Sequence, residues 1–455
     1  MIRSGIIGTS LFSLPFSLNI QAQTAAVIDG ATTYQTISGW GASTGYNERN
    51  PNMTAAQADC FFSTSNGSCA TGNSIGLAWI RIQDNAVPNS APDLPTLQLA
   101  VARGAKVELG FNNPSALNSS TYAGIAAYDV AKIQYLQANG VPIAAVSPIN
   151  EPVNTGTTGA EIDTFVASYL WPAMNTAGLG SIPLTLPESA DWFMSDYVSP
   201  CMDDSSCKPH VASVSGHAYY YGGQAGSSTV DGFTLGSFVN CCVQYSGNLP
   251  PSSASGLPIW ETEVNGGASG PCDVSLATYD SSMSPDALVW AHNIHDFFSV
   301  QNGTQWLYWN LQSGYGCNDG LTDQSFNPAK RFYAIGNWSR FVRPGQVRIS
   351  ATVSPQSGVY VTAFKNSATG AFEIVAVNSN SGSVSQAFSL SGLSASSVTP
   401  YITDPGNNLA AQSDISISSD AFTATLNASS VTTFVGAGNA AAPGAPTSLK
   451  ATVLQ

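Results

Sequence analysis

AGIAAYDVAKIQYLQANGVPIAAVSPINEP, residues 123–152, holds the unit from which the fold is read. From Ala123 to Asn139 apolar residues recur at helical spacing, and Gly140 follows as a stop. Ile143–Asn150 is then a short apolar run that ends in a polar turn at Glu151-Pro152. The same alternation extends in both directions. Apolar, β-branched runs stand at Ile37–Ala42, Ile75–Ile82, Ala105–Asn112, Ile143–Asn150, Ile182–Ser189, Val211–Tyr220, Leu257–Val264 and Gln305–Leu311. Strands alternating with helices predict a parallel sheet, and eight such units predict a closed barrel. A doubly wound open sheet is the competing arrangement, but no Gly-rich phosphate loop follows any of the runs. The expected fold class is α/β, a (β/α)8 TIM barrel over residues 37–343.

The flanks read differently. From Val347 short alternating runs separated by Asn, Gly and Ser turns predict an all-β sandwich over residues 344–437. Residues 438–455 are an Ala/Pro/Gly-rich linker followed by what resembles the first strand of a truncated fibronectin type III-like module. At the other end, residues 1–22 have a basic start at Arg3, an interrupted apolar run and a small-residue cleavage site, the pattern of an export signal. Residues 23–36 follow as a strand, with a turn expected at Asp29-Gly30.

Composition narrows the partners. Charged residues are only 9% of the chain, against about 25% in an average domain, so Ser, Thr, Asn, Gln and Gly must form much of the surface. That suits a secreted, extracellular protein working among neutral polymers. The net charge of -14 argues against nucleic acid and anionic membrane, both of which would repel it. Eight cysteines fit an exported chain with disulfides. Cys60 with Cys69 and Cys201 with Cys207 can each close a local loop, whereas the pairing of Cys241, Cys242, Cys272 and Cys317 stays open. No C-x2-C pair exists and only four His are present, so no metal site and no cofactor are expected. A monomer is expected.

In such a barrel the reacting groups project from the C-terminal ends of the strands. Those ends carry Arg81, Asn150-Glu151-Pro152, Glu188, His217 with Tyr219, Glu261-Thr262-Glu263, and Trp309. Two carboxylates at facing strand ends are what glycoside cleavage requires, one protonated to donate to the leaving oxygen, the other ionised to attack. Glu151, placed by Pro152 at the rim, is the expected acid/base. Glu261 and Glu263 share a strand face at period 2, and Glu263, nearer the strand's end, is the expected nucleophile. Arg81 would hold it charged. Glu188 is either a rival nucleophile or a substrate-binding residue, and His217 either a hydrogen-bonded wall or a proton carrier. Trp40, Trp192, Tyr219 and Trp309 are expected to contact sugar, while Trp306 fits the core.

At these residues the chain resembles glycoside hydrolase family 30, retaining hydrolases on a (β/α)8 barrel. Residues 34–43 (YQTISGWGAS) are similar to its opening motif, 147–152 (SPINEP) to its acid/base strand, 260–263 (WETE) to its nucleophile strand and 332–345 (FYAIGNWSRFVRPG) to its exit from the barrel. The resemblance covers about Ala25 to Ala437. It implies that the sandwich packs on the barrel's side and takes in the strand before Tyr34. It also implies that Asn150 bonds the sugar 2-hydroxyl and that Tyr219 lies near the nucleophile. In place of a Ser-Pro and Trp-rich loop, residues 110–117 read GFNNPSAL. The Arg that receives glucuronic acid in glucuronoxylan-cutting relatives has no counterpart in residues 311–317 (LQSGYGC), so strict dependence on that group is not expected. The expected activity is an endo-β-glycanase acting on plant cell-wall polysaccharide, xylan first. Alternatives are a β-1,6-galactanase or glucanase, a β-glucosidase-type hydrolase, and a carbohydrate-binding protein without catalysis.

Overall fold

The computed structural model describes residues 24–45, 52–65, 69, 72–84, 88–112, 116–190, 195–217, 229–230, 233–234, 252–264, 282–313 and 319–438. The expectations placed on residues 1–22, on Trp192, Tyr219, Cys241, Cys242, Cys272 and Cys317, and on the tail after residue 438 lie outside the described residues.

The first strand, β1 (Ala26–Thr36), precedes a closed barrel of eight strands: β2 (Gly39–Ser43), β3 (Trp79–Asp84), β4 (Lys106–Phe111), β5 (Ile143–Ser147), β6 (Leu184–Ser189), β7 (Val211–Gly216), β10 (Ile259–Val264) and β11 (Gln305–Tyr308). Every neighbouring pair is parallel. A two-strand ribbon, β8 (Thr229–Val230) and β9 (Phe233–Thr234), lies between β7 and β10 in the chain. Each of the eight expected runs overlaps a barrel strand. Alternation divides the side chains. Ile80, Ile82, Val107 and Leu109 join the main core against the helices, while Trp79, Ala145, Trp260 and Leu307 form a separate small cluster. Trp79 and Trp260 meet edge to face with ring centroids 5.4 Å apart, a favoured aromatic geometry. This apolar plug fills the barrel low down, and the polar inward residues Arg81 and Glu108 sit above it, toward the C-terminal ends of β3 and β4.

Beyond the barrel a second sheet runs in the order β17-β16-β20-β14-β13-β12-β1-β15-β19, with β18 paired to β16. Its members are β12 (Val347–Ala351), β13 (Val359–Lys365), β14 (Phe372–Asn378), β15 (Val384–Ser391), β16 (Ser397–Thr403), β17 (Ala410–Ala411), β18 (Ile415–Ser416), β19 (Ala421–Leu426) and β20 (Ser430–Gly436). β1 joins its two halves, antiparallel to β12 and parallel to β15. The sheet therefore closes over its own core as one hydrogen-bonded path, not as two unlinked layers. The expected turn at Asp29-Gly30 is instead a register irregularity inside β1, where the Asp29 carboxylate accepts from the Ala31 N–H and the Thr32 hydroxyl.

β13 and β14 are buried on both faces. Val361, Ala363, Ile374 and Ala376 pack into the sheet's core, whereas Tyr360, Phe364, Val375 and Val377 pack into the barrel's. Two helices, Leu288–Ser299 and Lys330–Ser339, form the barrel's side of that contact. Trp338 Nε1 donates to Thr362 Oγ1 (3.3 Å) and Asn337 Nδ2 to the Tyr401 carbonyl (2.9 Å), so these two donors of the seam are satisfied across it. Disulfides close Cys60–Cys69 and Cys201–Cys207.

Candidate active site

Three carboxylates meet where regular strand geometry gives way. Glu151 stands in a left-handed conformation (φ 47°) just past β5, before the short helix Pro152–Thr155. Glu188 is likewise left-handed (φ 57°), at a register irregularity between Pro187 and Ser189. Glu263 lies within another, between Glu261 and Val264 against β11. Non-glycine residues with positive φ are uncommon and carry strain that a surrounding structure must hold, which is typical of functional sites. Backbone bonds hold it here: Glu151 N donates to the Glu188 carbonyl (2.9 Å) and His217 N to the Ser189 carbonyl (2.7 Å).

Arg81 is the hub. It is fully buried, and it donates from Nη1 to Glu263 Oε2 (2.7 Å) and from Nη2 to Glu188 Oε2 (2.8 Å) and Asn150 Oδ1 (2.9 Å). A Cβ at Gly110 would stand 3.1 Å from Arg81 Nη2, so a glycine there leaves the guanidinium its room. Burial would strip the charge from Arg81, but the carboxylates of Glu188, Glu263 and Glu108 outweigh it and hold the guanidinium cationic. Beneath it Glu108 Oε1 lies 3.8 Å from Nε, and Gln305 Nε2 donates to Glu108 Oε2 (3.1 Å). Burial and the Glu188 charge push Glu108 up to about 8.

His217, just past β7 and fully buried, joins the cluster from the other side. Its Nδ1 lies 3.0 Å from Glu151 Oε1, and its Nε2 lies 3.0 Å from Glu188 Oε2 and 3.9 Å from Glu263 Oε2. Burial opposes a charge on this ring, yet the Glu263, Glu151 and Glu188 carboxylates raise it well above the ordinary imidazole range. Glu188 also accepts from Thr262 Oγ1 (2.7 Å). Burial would raise its carboxyl, but Arg81 and His217 bring it down to about 2. At Glu151 burial is outweighed by the His217 hydrogen bond and charge and by Asn154, whose Nδ2 donates to Oε2 (2.7 Å), so its carboxyl is lowered. At Glu263 burial prevails over His217 and Arg81, and the carboxyl is raised.

The expected residues thus divide. Arg81, Asn150, Glu151, Glu188, His217 and Glu263 converge, and one oxygen each of Glu151 and Glu263 and one ring nitrogen of His217 lie within 4.8 Å of one another. Glu261 stays apart from Arg81 and His217 in the contacts described and receives the Glu263 backbone N–H at Oε1 (3.2 Å). Trp40 is a correction. It is 0% exposed on the barrel's outer side, its indole N–H donates to the Val342 carbonyl (2.8 Å) and its ring packs on Phe298 at 4.4 Å, so it offers no face to a sugar. Trp309, next to Val264 at the rim, is only 4% exposed, too covered to serve as an open platform. Trp306 lies in the core, bonded to Asn293 Oδ1 (2.8 Å). Reading the sequence missed Thr262, Asn154 and the Glu108–Gln305 pair. Asn154 had a signal, since it lies three residues after Glu151 on one helical turn.

Glu151, His217 and Glu263 could in principle face a cation, but both ring nitrogens already meet carboxylates. The group Asp163, Cys201 and Cys207 is closed to one because its two sulfurs are bonded to each other.

No protein-family model matches the chain. Among curated proteins it is 28% identical over 406 residues to glucuronoxylanase XynC of Bacillus subtilis (strain 168), across 84% of this chain and 85% of that protein. Among solved structures it matches the glycoside hydrolase family 30 subfamily 8 xylanase Xyn30A from Clostridium acetobutylicum with a TM-score of 0.71 and 25% identity, covering 91% of this chain and 99% of the other. The chain is similar to enzymes of glycoside hydrolase family 30. It also shares its fold with a GH30 endoxylanase from Clostridium papyrosolvens C71, at a TM-score of 0.70 and 24% identity over 91% and 100% of the two chains. Among the described residues no helix is long and apolar enough to cross a membrane.

Proposed function

We propose that the chain is a secreted, retaining endo-β-1,4-xylanase in which Glu151 is the acid/base and Glu263 the nucleophile. The observation that carries this reading is the approach of the two carboxylates, with oxygens inside 4.8 Å at the C-terminal rim of the barrel. A retaining mechanism works at about 5–5.5 Å between carboxyl groups, whereas inversion needs about 6.5–9.5 Å to admit a water. Glu263, oriented by Arg81, attacks the anomeric carbon as Glu151 gives its proton to the leaving oxygen. Water then enters from the vacated side, Glu151 takes its proton, and the bond to Glu263 breaks. Asn150, held by Arg81, is placed to meet the sugar 2-hydroxyl. The xylanase names of the relatives support xylan as substrate, and the export-like residues 1–22 support secretion. Residues 311–329 contain no Arg or Lys, which favours xylan cleavage without a required glucuronic acid group.

Product analysis on xylan, glucuronoxylan, β-1,6-galactan and β-1,6-glucan tests this. A ladder of short xylo-oligosaccharides from both xylans, abolished in Glu263→Ala, is expected. A ladder from a β-1,6-linked polymer, or monosaccharide alone, would move the chain to another activity of the family. Absence of any product would make it a binding protein.

A further inference from the structure

The hydrogen bonds around His217 bear on where the proton of the general acid rests. A neutral imidazole carries one N–H and one bare nitrogen. Here each nitrogen lies 3.0 Å from a different carboxylate oxygen, on Glu151 and on Glu188. With both carboxylates ionised, a neutral ring would set a nitrogen lone pair against an oxygen lone pair in a buried site, which is unfavourable. One more proton must lie on the chain Glu151–His217–Glu188. Glu188 is the wrong place for it, because that carboxylate already receives Arg81 Nη2 and Thr262 Oγ1 at 2.8 and 2.7 Å. The proton therefore belongs to the Glu151–His217 pair.

We infer that, before substrate binds, the proton of the general acid resides on His217 Nδ1, and that Glu188 is the positioning residue that keeps it there. The inference rests on the reading of Glu151 as acid/base. The geometry favours that place, because an ionised Glu151 then accepts at both oxygens, from His217 Nδ1 at Oε1 (3.0 Å) and from Asn154 Nδ2 at Oε2 (2.7 Å). In the first step the Nδ1 proton moves to Glu151, which passes it to the leaving oxygen, and the ring is left neutral with Nε2–H on Glu188. In the second step water adds its oxygen to the anomeric carbon and its proton returns through Glu151 to Nδ1, so the cycle is balanced. The groups acting on the ring are Glu151 beyond β5, Glu188 on β6, Glu263 on β10 and, through their charges, Arg81 on β3 and Glu108 on β4.

The test is 15N NMR of the full chain labelled at histidine, with the His217 signal assigned by its loss in His217→Gln among four histidines. At pH 7 a doubly protonated His217 ring is expected, and a singly protonated one would overturn the inference. In Glu188→Gln the pH at which that ring loses its proton should fall by at least about one unit, as expected when an adjacent opposite charge is removed. The basic limb of kcat/KM on xylan should fall with it, while an aryl β-xylobioside with an acidic leaving group is spared. An unmoved limb, with both substrates losing rate in parallel, would reduce Glu188 to a structural part and overturn its assigned role. The NMR measurement needs no substrate, so an enzyme inactive on xylan would refute the proposed activity separately from the proton's location.

Discussion

Arg81 shows how much one side chain carries in this molecule. Itself fully buried, it is surrounded by Glu108, Glu188 and Glu263, and the charge of the ionised carboxylates beside it is tolerable only while it is present. Removing one partner of a buried ionic group leaves uncompensated charge, at a typical cost of about 3–5 kcal/mol. Arg81→Ala should therefore lose that order of stability in urea unfolding as well as its activity. Adding Glu188→Gln should recover part of the stability, because it removes one orphaned carboxylate, and the loss in the double variant should be less than the sum of the singles. Glu151→Gln should cut xylan turnover by about 10²- to 10⁴-fold, the usual contribution of a general acid, and spare activated aryl glycosides. Equal loss on both substrates would count against the acid role.

At the scale of elements, the barrel strands place their residues by alternation, and alternation fails where the chemistry is. β2 follows the rule, so Trp40 goes outward to Phe298 and Val342. Trp40→Ala should cost about 3–5 kcal/mol in thermal or urea unfolding, the usual range for emptying a large buried aromatic site. The KM of the folded fraction should not change. A raised KM at unchanged stability would return Trp40 to the substrate site. β6 and β10 break the rule at Glu188 and Glu263, and these breaks bring the carboxylates together over Arg81.

Across the whole molecule, the seam between barrel and sheet buries titratable groups of opposite tendency. His292 packs on Tyr360 and meets Ser379 Oγ at 2.5 Å, and His295 lies beside the same tyrosine. Burial lowers them to about 4 and about 3. The unfolded chain binds their protons from about pH 6.5 downward while the folded chain does not, so stability should fall as pH drops below that value. Glu373 is shifted the other way, raised by burial to about 8 with one weak bond from Gln346 (3.4 Å). Its contribution is complete below the unfolded carboxyl value near 4.5 and declines as pH rises toward 8. Melting temperature against pH should therefore peak between these arms. His295→Gln should flatten the acid arm and Glu373→Gln the alkaline arm; unchanged arms would show that other groups govern the profile.

The eight β/α units, the β-rich flank and the rim position of Glu151 were legible in the chain itself. Each is a local pattern: apolar periodicity, turn residues, and a Pro that ends a strand. Even the choice of Glu263 over Glu261 rested on distance along one strand. What lay beyond such patterns is contact between elements distant in sequence. Glu188 read as either a rival nucleophile or a substrate-binding residue, and only the barrel's closure, which brings Arg81, His217 and Thr262 onto its two oxygens, makes it their common acceptor. Trp40 looked like a sugar contact because the direction of an aromatic on a short strand follows from the register of its neighbours, Gln305–Tyr308 and Trp79–Arg81. The sequence by itself determined which residues reach the rim of the barrel. The tertiary structure decided which of them share a proton and a charge, because hydrogen bonds and ion pairs act over about 3–4 Å in space whatever the separation along the chain.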